Sequence, residues 1–535
     1  MLKKLPIGIQ TFSKIRENDY IYIDKTKDAL ELIENYTYVF LARPRRFGKS
    51  LFLDTLRNIF EGNKKLFEGL YIYDKWDWSV KYPVIKISWD GRLRNIDDLD
   101  QKAYEIFRTN QERLDIQCEE SLSIPVCFER LIKEAYKKYN QKVVVLIDEY
   151  DKPILDVIEK KDQAKEHREY IKGLYSTLKG VDEYIHFAFL TGVSKFSKAS
   201  IFSGLNMLTD ISLMPKFGNV CGYTQNDLET TFKEYLKDAN MQKIKEWYNG
   251  YNFLKDDLHN PFDILQFIDN ELMYDNYWFR SATPTFLIKL IEKNNYFLPK
   301  LSNLIVGKEL VDSFDIENIS LEIILYQSGY LTIDEKIVEE FGFNTIIKYK
   351  LKLPNLEVKT SLNNYILEYL LNQTNGEKLQ NQANIYKSLA NAKLDEFKNT
   401  LISIFASIPY NNYSNNYIQN YEGFYATVVY VYLQSLGIKI IGEDVTNKGR
   451  IDLTIFIEDK IYIIEFKVLR ETRDEEGETR KENSALAQIK EKKYHQKYLN
   501  PKSSTLNPKI YLVGIEFSKE EKNIVGFEWE EITVQ

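Results

Sequence analysis

The stretch GRIDLTIFIEDKIYIIEFK, residues 449–467, most constrains what this chain can fold into. It holds two runs of β-branched and aromatic residues, 451–457 and 461–467, separated by a short polar turn, which is the pattern of a β-hairpin. Side chains alternate between the faces of a strand, and the tight turn pairs residues equally far from it. The spacing therefore predicts that Asp452 lies roughly opposite Glu465 on one face of the hairpin.

Two carboxylates placed in this way constrain the chemistry of the hairpin. Unit charges about 4 Å apart repel by about 4 kcal/mol at an effective dielectric constant of 20. Folding avoids that arrangement unless a proton or a cation neutralises it. Oxygen ligands favour Mg²⁺ or Mn²⁺, and Lys467, which shares a face with Glu465, would stand beside the ion. The alternative is an edge hairpin whose acidic residues lie on a solvated face.

Asp452, followed after the hairpin by Glu465-Phe466-Lys467, resembles the core of the PD-(D/E)XK nuclease superfamily. The resemblance implies that Asp452, Glu465 and the main-chain carbonyl of Phe466 hold a metal ion. It also implies that Lys467 orients or activates the water that attacks a phosphodiester. The expected activity is metal-dependent hydrolysis of nucleic acid.

Two further residues occur in the order that this superfamily has. Glu422, on an apolar helix upstream of the hairpin, matches an additional metal-site Glu. Gln488, downstream, matches a frequent helix-borne Gln. Basic residues continue along the predicted helix after Gln488 and form a candidate phosphate-positioning face: Lys490, Lys492, Lys493 and Lys497.

A second motif lies near the N-terminus. A short apolar strand, 38–42, precedes a loop that contains Gly48-Lys49-Ser50 and leads into an amphipathic helix. This is the context of a phosphate-binding loop. Amides at the helix start would face the phosphates, Lys49 would reach the β- and γ-phosphate oxygens, and the Ser50 hydroxyl would meet Mg²⁺. The alternative is a basic turn with a helix cap.

The loop departs from the full phosphate-binding pattern at its first position, where Arg43 replaces the usual Gly. Pro44 pushes Arg43 toward an extended conformation. A non-Gly residue forced into a glycine-only conformation costs on the order of 1–3 kcal/mol. We therefore predict that the first half of the loop takes another path, while Arg45 and Arg46 add positive charge close to the phosphates.

The strand pattern after the loop predicts the sheet. The run 143–147 is wholly apolar and ends in Asp148-Glu149, as expected for a central parallel strand. Another apolar run, 185–190, ends at Thr191, which would lie between the tips of the first two strands and sense the γ-phosphate. Helical stretches alternate with these strands, which favours a parallel sheet with helices on both faces.

Several segments, RPRRFGKS, VVVLIDEYDKPI, FLTGVSKFS and WYNGYNF, resemble the AAA-ATPase-like domain of bacterial and archaeal proteins. Such proteins often carry a C-terminal PD-(D/E)XK domain, and the resemblance covers nearly the entire chain in the expected order. It implies that Asp148 holds the Mg²⁺ shell of ATP and that Glu149 polarises the attacking water. The expected cofactors are ATP and Mg²⁺, with Mn²⁺ an alternative at the nuclease site.

The length of 535 residues suggests about three domains. We predict an α/β fold, in which a P-loop NTPase parallel sheet and a helical lid or middle region precede an α/β restriction-endonuclease-like domain. The predicted domains are the AAA-like P-loop ATPase over 1–220, the mostly helical middle domain over 221–375 and the PD-(D/E)XK nuclease-like domain over 376–535. The polar stretch 373–382 is the predicted linker. Arg280 leaves open a homo-oligomer in which it acts on nucleotide across a subunit boundary.

The composition narrows the partners and the compartment. A net charge of −7 argues against a protein that coats nucleic acid, yet it is compatible with a local basic groove. Three cysteines and four scattered histidines form neither a disulfide framework nor a zinc site, which favours a reducing cytoplasm. Neither a signal peptide nor an apolar run of roughly 18 residues is present, so we expect a cytoplasmic protein with no membrane partner.

These features together predict an ATP-binding protein that couples a P-loop ATPase module to a metal-dependent nuclease. DNA is favoured over RNA because DNA is the commoner substrate in the family. Two alternatives stay open: an ATP-driven conformational switch whose nuclease-like domain is inactive or only binds, and an ATP-driven nucleic-acid motor. The missing loop glycine favours the switch, and strand displacement would indicate the motor.

Overall fold

The computed structural model describes residues 2–117, 123–196, 207–279, 304–308, 320–371, 375–408, 422–469, 483–499 and 508–532. The chain forms two compact units. The first unit contains Met1–Thr283 and Ile305–Asn355, and the second contains Pro284–Leu304 and Leu356–Gln535. Most of the predicted middle domain therefore belongs to the same unit as the N-terminal ATPase region.

The first unit is built on a five-stranded parallel sheet. Its strands are β1 Tyr38–Ala42, β2 Val84–Ser88, β3 Val143–Asp148, β4 Ile185–Gly192 and β5 Thr209–Asp210. They lie in the order β2-β3-β4-β1-β5. Strand β3 is buried at every position, which explains its apolar sequence up to Asp148. Strand β4 pairs with both β1 and β3, so its end separates the loop after β1 from the acidic end of β3.

Helices alternate with these strands, as the sequence predicts. They are α1 Phe12–Glu17, α2 Thr26–Asn35, α3 Lys49–Phe60, α4 Ile96–Leu114, α5 Ile124–Tyr139, α6 Lys152–Leu155 and α7 Lys161–Gly180. Helix α3 packs against β3 and β4, α4 against β2, and α5 against β3 and α7. The predicted P-loop NTPase type of α/β fold is confirmed.

The middle region adds further strands and helices to the first unit. They are β6 Tyr223–Thr224, α8 Gln225–Thr230, α9 Met241–Tyr248, β7 Tyr251–Asn252, β8 Asp257–His259, α10 Pro261–Asp269, β9 Leu304–Gly307, α11 Leu321–Ser328, β10 Thr332–Phe341 and β11 Asn344–Lys352. Ile21 and Ile23 from the N-terminal segment share one buried cluster with Phe232, Tyr248 and Phe267. This common core is the physical reason why residues 221–283 do not form a separate unit.

The second unit contains a mixed five-stranded sheet with helices. Its helices are α12 Leu356–Leu371, α13 Asn375–Ala390, α14 Leu394–Ala406, α15 Glu422–Ser435 and α16 Ser484–Lys492. Its strands, in the order in which they lie in the sheet, are β12 Lys439–Thr446, β13 Gly449–Ile457, β14 Lys460–Leu469, β15 Lys509–Ser518 and β16 Asn523–Ile532. Strands β14 and β15 are parallel, and the other neighbours are antiparallel. The predicted hairpin is therefore the β13–β14 pair.

Helix α16 connects the parallel strands β14 and β15 and packs on this sheet. Its Leu486 and Ile489 lie in a buried cluster with Ile461 and Ile463 of β14 and Leu512 of β15. One apolar face of the strands therefore packs against the helix that carries Gln488. This packing fixes the distance between Gln488 and the hairpin.

The predicted linker at 373–382 is wrong for the residues that the structure describes, because 375–382 begin helix α13. Lys378 Nζ lies 2.9 Å from Glu368 Oε1, and Gln382 Nε2 donates to Ser435 Oγ at 2.7 Å. Buried polar groups are tolerated when they are paired, so a polar composition did not mean an exposed linker. Residues 372–374 and Arg280 lie outside the described residues.

Two observations bear on the environment of the protein. Within the described ranges, no helix has both the length and the apolar character needed to pass through a bilayer. Cys127 and Cys221, the two cysteines in those ranges, are buried and not disulfide-bonded. Burial raises the pKa of the Cys221 thiol, so this cysteine is protonated and unreactive near neutral pH.

Candidate functional sites

The phosphate-binding loop takes the distinct path predicted for its first half. Arg43 is 1% exposed, and its guanidinium donates to the carbonyls of Ser212 and Phe217 while it stacks 3.9 Å from the centre of the Phe253 ring. Its φ is not positive, whereas those of Arg46 and Gly48 are +66° and +91°. The left-handed turn is therefore made later in the loop than in the glycine-first pattern.

Lys49 closes this loop from the first turn of α3. Its Nζ atom donates to the carbonyl oxygens of Arg43 and Pro44 at 3.0 Å each. Burial lowers the pKa of the Lys49 ammonium, and the nearby Asp148 and Asp151 carboxylates act in the opposite direction. The Lys49 ammonium is thus largely removed from solvent and held by hydrogen bonds to the phosphate-binding loop.

A cavity of about 540 Å³ opens beside the loop. Predicted site residues that line it are Arg45, Arg46, Gly48, Lys49, Ser50 and Glu149. Apolar residues of the N-terminal segment and α10 also line it: Pro6, Ile9, Pro261, Phe262 and Leu265. Small-molecule sites are commonly 300–1,000 Å³ and combine apolar walls with a few polar groups. The cavity therefore fits a ligand of nucleotide size.

The carboxyl end of β3 carries the two predicted acidic residues. Asp148 is buried and accepts a hydrogen bond from the Glu149 amide at 3.1 Å. Glu149 has a φ of +51°, an uncommon value for a non-Gly residue that often marks a functional position. Desolvation by the surrounding protein, followed by the charge of Asp148, raises the pKa of the Glu149 carboxyl. Glu149 is thus presented to the cavity while Asp148 lies behind it.

Thr191 lies between β1 and β3, as predicted, but its hydroxyl is already engaged. The Thr191 Oγ1 atom donates to the Leu41 carbonyl at 2.9 Å, and the side chain is fully buried. Neither Thr191 nor Asp148 lines the cavity. Their predicted contacts with nucleotide or Mg²⁺ stay predictions.

Sequence reasoning missed Asp151, which lies two residues after Glu149. Asp151 is 1% exposed and lines the cavity, and its carboxylate accepts from the amides of Val193 and Ser194 at 3.0 and 2.5 Å. A Cβ on Gly192 would lie 2.4 Å from Asp151 Oδ1, so this close approach requires glycine. Asp151 therefore ties the exit of β4 to the acidic end of β3, and only the juxtaposition of the two strands reveals it.

The hairpin of the second unit has the predicted register. Leu453 pairs with Ile464, and the next residues outward are Asp452 and Glu465. The Phe466 amide donates to Asp452 Oδ2 at 2.8 Å. Burial raises the pKa of the Asp452 carboxyl, while the Phe466 amide and the Lys467 charge act against that rise. The structure therefore brings Asp452 to the Glu465-Phe466-Lys467 segment.

Gln488 reaches the same place from α16, where its Nε2 donates to Glu465 Oε1. Glu465 is 2% exposed, so its carboxylate is shielded from bulk solvent. Tyr494, which sequence reasoning missed, is buried beside this pair, and its hydroxyl hydrogen-bonds with the Gln488 side chain. Burial and the Glu465 charge raise the pKa of the Tyr494 hydroxyl. No motif marks this tyrosine among the 38 in the chain.

The donor set fits a hard divalent cation. Asp452 and Glu465 offer carboxylate oxygens, which are ligands of Mg²⁺ and Mn²⁺. In the described ranges, no three Asp, Glu, His or Cys side chains are close enough together to hold a metal. Glu422 begins helix α15, but its side chain lies outside the described residues. A full ligand set would therefore need the Phe466 carbonyl, Glu422 or water in addition.

The parallel sheet with its Gly-Lys-Ser loop, and the hairpin with its paired carboxylates, define a protein that joins a P-loop ATPase-like region to a nuclease-like region. Family comparison gives the same division. The model described as "Predicted AAA-ATPase" matches residues 6–202, and that of the PD-(D/E)XK nuclease superfamily matches residues 420–527.

A related protein matches this chain over nearly its whole length. The "Uncharacterized protein in vnfD 5'region" of Azotobacter chroococcum mcd 1 is 42% identical over 527 residues, which are 98% of each chain. This chain belongs to the same family, that of AAA-ATPase-like proteins with a C-terminal PD-(D/E)XK nuclease superfamily domain. Among solved structures, that of the Aeropyrum pernix ORC1 protein in complex with DNA matches 66% of this chain and 96% of its own, at 14% identity and a TM-score of 0.25. A TM-score this low does not bear on fold or partner.

Proposed function

We propose that this protein binds and hydrolyses ATP with Mg²⁺ in its first unit and cleaves nucleic-acid phosphodiesters, DNA in preference to RNA, in its second. The observation that carries the proposal is the hydrogen-bonded set at the hairpin. Gln488 orients Glu465, and the Phe466 amide orients Asp452, next to Lys467. Glu465 is buried, and Asp452 and Lys467 beside it are half-buried. The cavity beside Lys49 supports the nucleotide part.

In the first unit, the amides from Gly48 onward and the Lys49 ammonium would bind the β- and γ-phosphates. Arg45 and Arg46 would add positive charge at the cavity wall, and Ser50 with Asp148 would hold Mg²⁺. Glu149 would orient and polarise the attacking water, because its carboxylate faces the cavity with a raised pKa. Thr191 would sense the γ-phosphate once its bond to Leu41 is released.

In the second unit, Asp452, Glu465 and the Phe466 carbonyl would hold Mg²⁺ or Mn²⁺, with Glu422 as an additional ligand. A bound ion of this kind lowers the pKa of its water and stabilises charge on the phosphate. Lys467 would orient the attacking water from the same strand. Gln488, which donates to one oxygen of Glu465, would orient this carboxylate for the ion.

One assay tests both activities together. Purified full-length protein is incubated with single- and double-stranded DNA and RNA, with and without ATP, in Mg²⁺, in Mn²⁺ and in EDTA. We expect divalent-dependent cleavage, greater on DNA, together with release of phosphate from ATP. The absence of cleavage of all four nucleic acids in both metals would contradict the nuclease proposal.

A second candidate, an ATP-driven switch without cleavage, is favoured by the contacts of Lys49. Two loop carbonyls hold its ammonium, so nucleotide binding would have to replace them and thereby move the loop. ATP turnover with no cleavage would support the switch, and strand displacement would indicate a motor. A homo-oligomer using Arg280 stays a prediction, and we place the protein in the cytoplasm because its described cysteines are buried and not disulfide-bonded.

A further inference from the structure

The lysines predicted to contact phosphate are mostly engaged with carboxylates. Lys490 Nζ lies 2.5 Å from Glu530 Oε2, and Lys497 is paired with the buried Asp444. Lys492 lies 4.0 Å from Glu491 on its own helix. Lys493 is different, because it ends the helix with a φ of +51° and its side chain is exposed. Across the described residues, no carboxylate lies within ion-pair distance of Lys493.

The turn between β12 and β13 lies next to Lys493. Gly449 in this turn has a φ of +153°, and a Cβ added there would lie 2.7 Å from the Tyr494 hydroxyl oxygen. Tyr494 follows Lys493 directly and is buried, so it anchors the turn at this point. The turn also carries two exposed cations, Lys448 and Arg450. Three positive residues thus directly neighbour the two residues of the Gly449–Tyr494 contact.

Electrostatic effects agree with this placement. Burial lowers the pKa of His495, and the charges of Lys493 and Lys448 lower it further, so both lysines act on one imidazole. Arg450, whose guanidinium Nη1 atom lies 3.2 Å from Glu443 Oε2, is two residues before Asp452 on β13, so the two side chains share one face of the strand. Arg450 therefore lies on the face of the acidic pair, and Lys448 and Lys493 adjoin Tyr494, whose hydroxyl hydrogen-bonds with Gln488.

We propose that Lys448, Arg450 and Lys493, here called the basic rim, bind the phosphodiester backbone of the nucleic acid beside the Asp452–Glu465 pair. The inference rests on the proposed nuclease function and names where its substrate is held. Two carboxylates repel a phosphate, and the rim supplies the compensating charge on the exposed side of the site. Lys and Arg contacts of this kind position the strand without reading its sequence. The rim therefore contributes binding affinity that does not depend on the base sequence.

The test is a double variant, Lys448→Ala with Lys493→Ala, in the full-length protein. Binding of a fluorescein-labelled 30-base-pair DNA duplex is measured by anisotropy in Ca²⁺ and in EDTA, at several salt concentrations. Each phosphate contact contributes about 0.9 to the slope of log K against log salt. We expect about tenfold weaker binding at low salt and a slope reduced by about 0.9 per lysine removed. Binding of the same sequence is also measured as single-stranded DNA and as RNA, to show which type of nucleic acid the rim prefers.

Lys509→Ala is the matched control. Lys509 is an exposed lysine of the same sheet, but it begins β15 opposite Lys460, at the other end of β14 from Lys467. Its variant should bind with an unchanged slope. An equal loss for Lys509→Ala, or an unchanged slope for the double variant, would overturn the rim while leaving cleavage by the wild-type protein intact. A wild-type protein that neither binds nor cleaves any of these nucleic acids would overturn both proposals.

Discussion

The two sites of this protein differ in how far apart in sequence their parts lie. The Arg45 carbonyl accepts hydrogen bonds from Trp278 and Asn260, at 3.3 and 3.5 Å, and the C-cap Gly329 contacts Pro44. The nucleotide loop is therefore supported by residues from the middle region. At the hairpin, by contrast, the contacts among Asp452, Glu465 and Gln488 arise within one hairpin and the helix that follows it.

Because of this difference, the two sites should respond differently to amino-acid substitutions elsewhere in the chain. The nucleotide site is held from outside and contains strained positions, since Arg46 in the loop and Glu149 after β3 both have positive φ values. Backbone of this kind persists only when its surroundings determine it, so distant substitutions should reach the nucleotide site. The hairpin site depends on strand register, which every pair of the ladder enforces. It should tolerate distant changes and fail only when its own side chains are altered.

The largest expected effect is at the hairpin. Asp452→Ala, Glu465→Ala and Lys467→Ala should each lower cleavage by about a thousandfold or more, because each removes a metal ligand or the group beside the water. Asp459→Ala, which removes an exposed carboxylate at the turn of the same hairpin, is the control and should cleave normally. Cleavage rates on one DNA duplex, with circular dichroism to check the fold, give the measurement. Normal cleavage by Glu465→Ala would show that the site is elsewhere.

The next effect sharpens the contrast at the loop. Lys49→Ala should weaken ATP binding by about a hundredfold, since a phosphate contact to a desolvated cation is lost. Arg43→Gly should instead lower the free energy of unfolding, because the Ser212 and Phe217 carbonyls lose a buried donor, while ATP affinity persists. Calorimetric titration and urea unfolding separate the two. Wild-type ATP affinity in Lys49→Ala would remove the nucleotide assignment.

Substitutions of Asp148 and Glu149 should have different effects on nucleotide binding and hydrolysis. Glu149→Gln keeps the size of the side chain and removes its charge, so ATP should still bind while hydrolysis slows by about a hundredfold. Asp148→Asn should weaken Mg²⁺-nucleotide binding and hydrolysis together. Phosphate release and nucleotide titration are measured for both variants. If ATP hydrolysis gates the nuclease, the Glu149→Gln variant should stay in its ATP-bound state, with cleavage permanently on or permanently off. Cleavage by this variant that responds to ATP and ADP as the wild type does would argue against gating.

The smallest effect concerns stability. Burial, with the Lys245 charge, lowers the pKa of His259 from 6.5 to about 3, and its Nε2 lies 3.0 Å from Gln225 Oε1. As the pH falls, His259 is therefore protonated in the unfolded chain before it is protonated in the folded protein. Its contribution to the free energy of unfolding is lost as the pH falls below 6.5 toward 3. Each pH unit in that window corresponds to about 1.4 kcal/mol.

Urea unfolding measured by tryptophan fluorescence at pH 7.5 and 5.5 tests this expectation. Five of the six tryptophans belong to the first unit, so the signal reports mainly on the unit that contains His259. His259→Gln has no titrating group at this position and should lose about 1 kcal/mol less stability than the wild type between the two conditions. The same pH dependence in both proteins would contradict the assigned pKa shift.

The sequence by itself determined the elements whose signal is local. The apolar run up to Asp148 predicted a buried parallel strand, and the polar turn between two apolar runs predicted the hairpin register, because strand period and turn position depend only on neighbouring residues. The fold class and the family were also predictable from these motifs. The substitution of Arg43 for glycine was enough to predict an altered loop path.

Only the tertiary structure decided which side chains complete the sites. Asp151 meets the exit of β4, Tyr494 meets Gln488, and Ile9 and Phe262 line the cavity beside the loop, because packing joins segments that share no sequence pattern. Packing also decided which charged side chains form ion pairs. Lys490 and Lys493 look alike in sequence and are both exposed, yet of the two only Lys490 is paired with a carboxylate among the described residues. An ion pair depends on the distance between side chains, which folding alone sets.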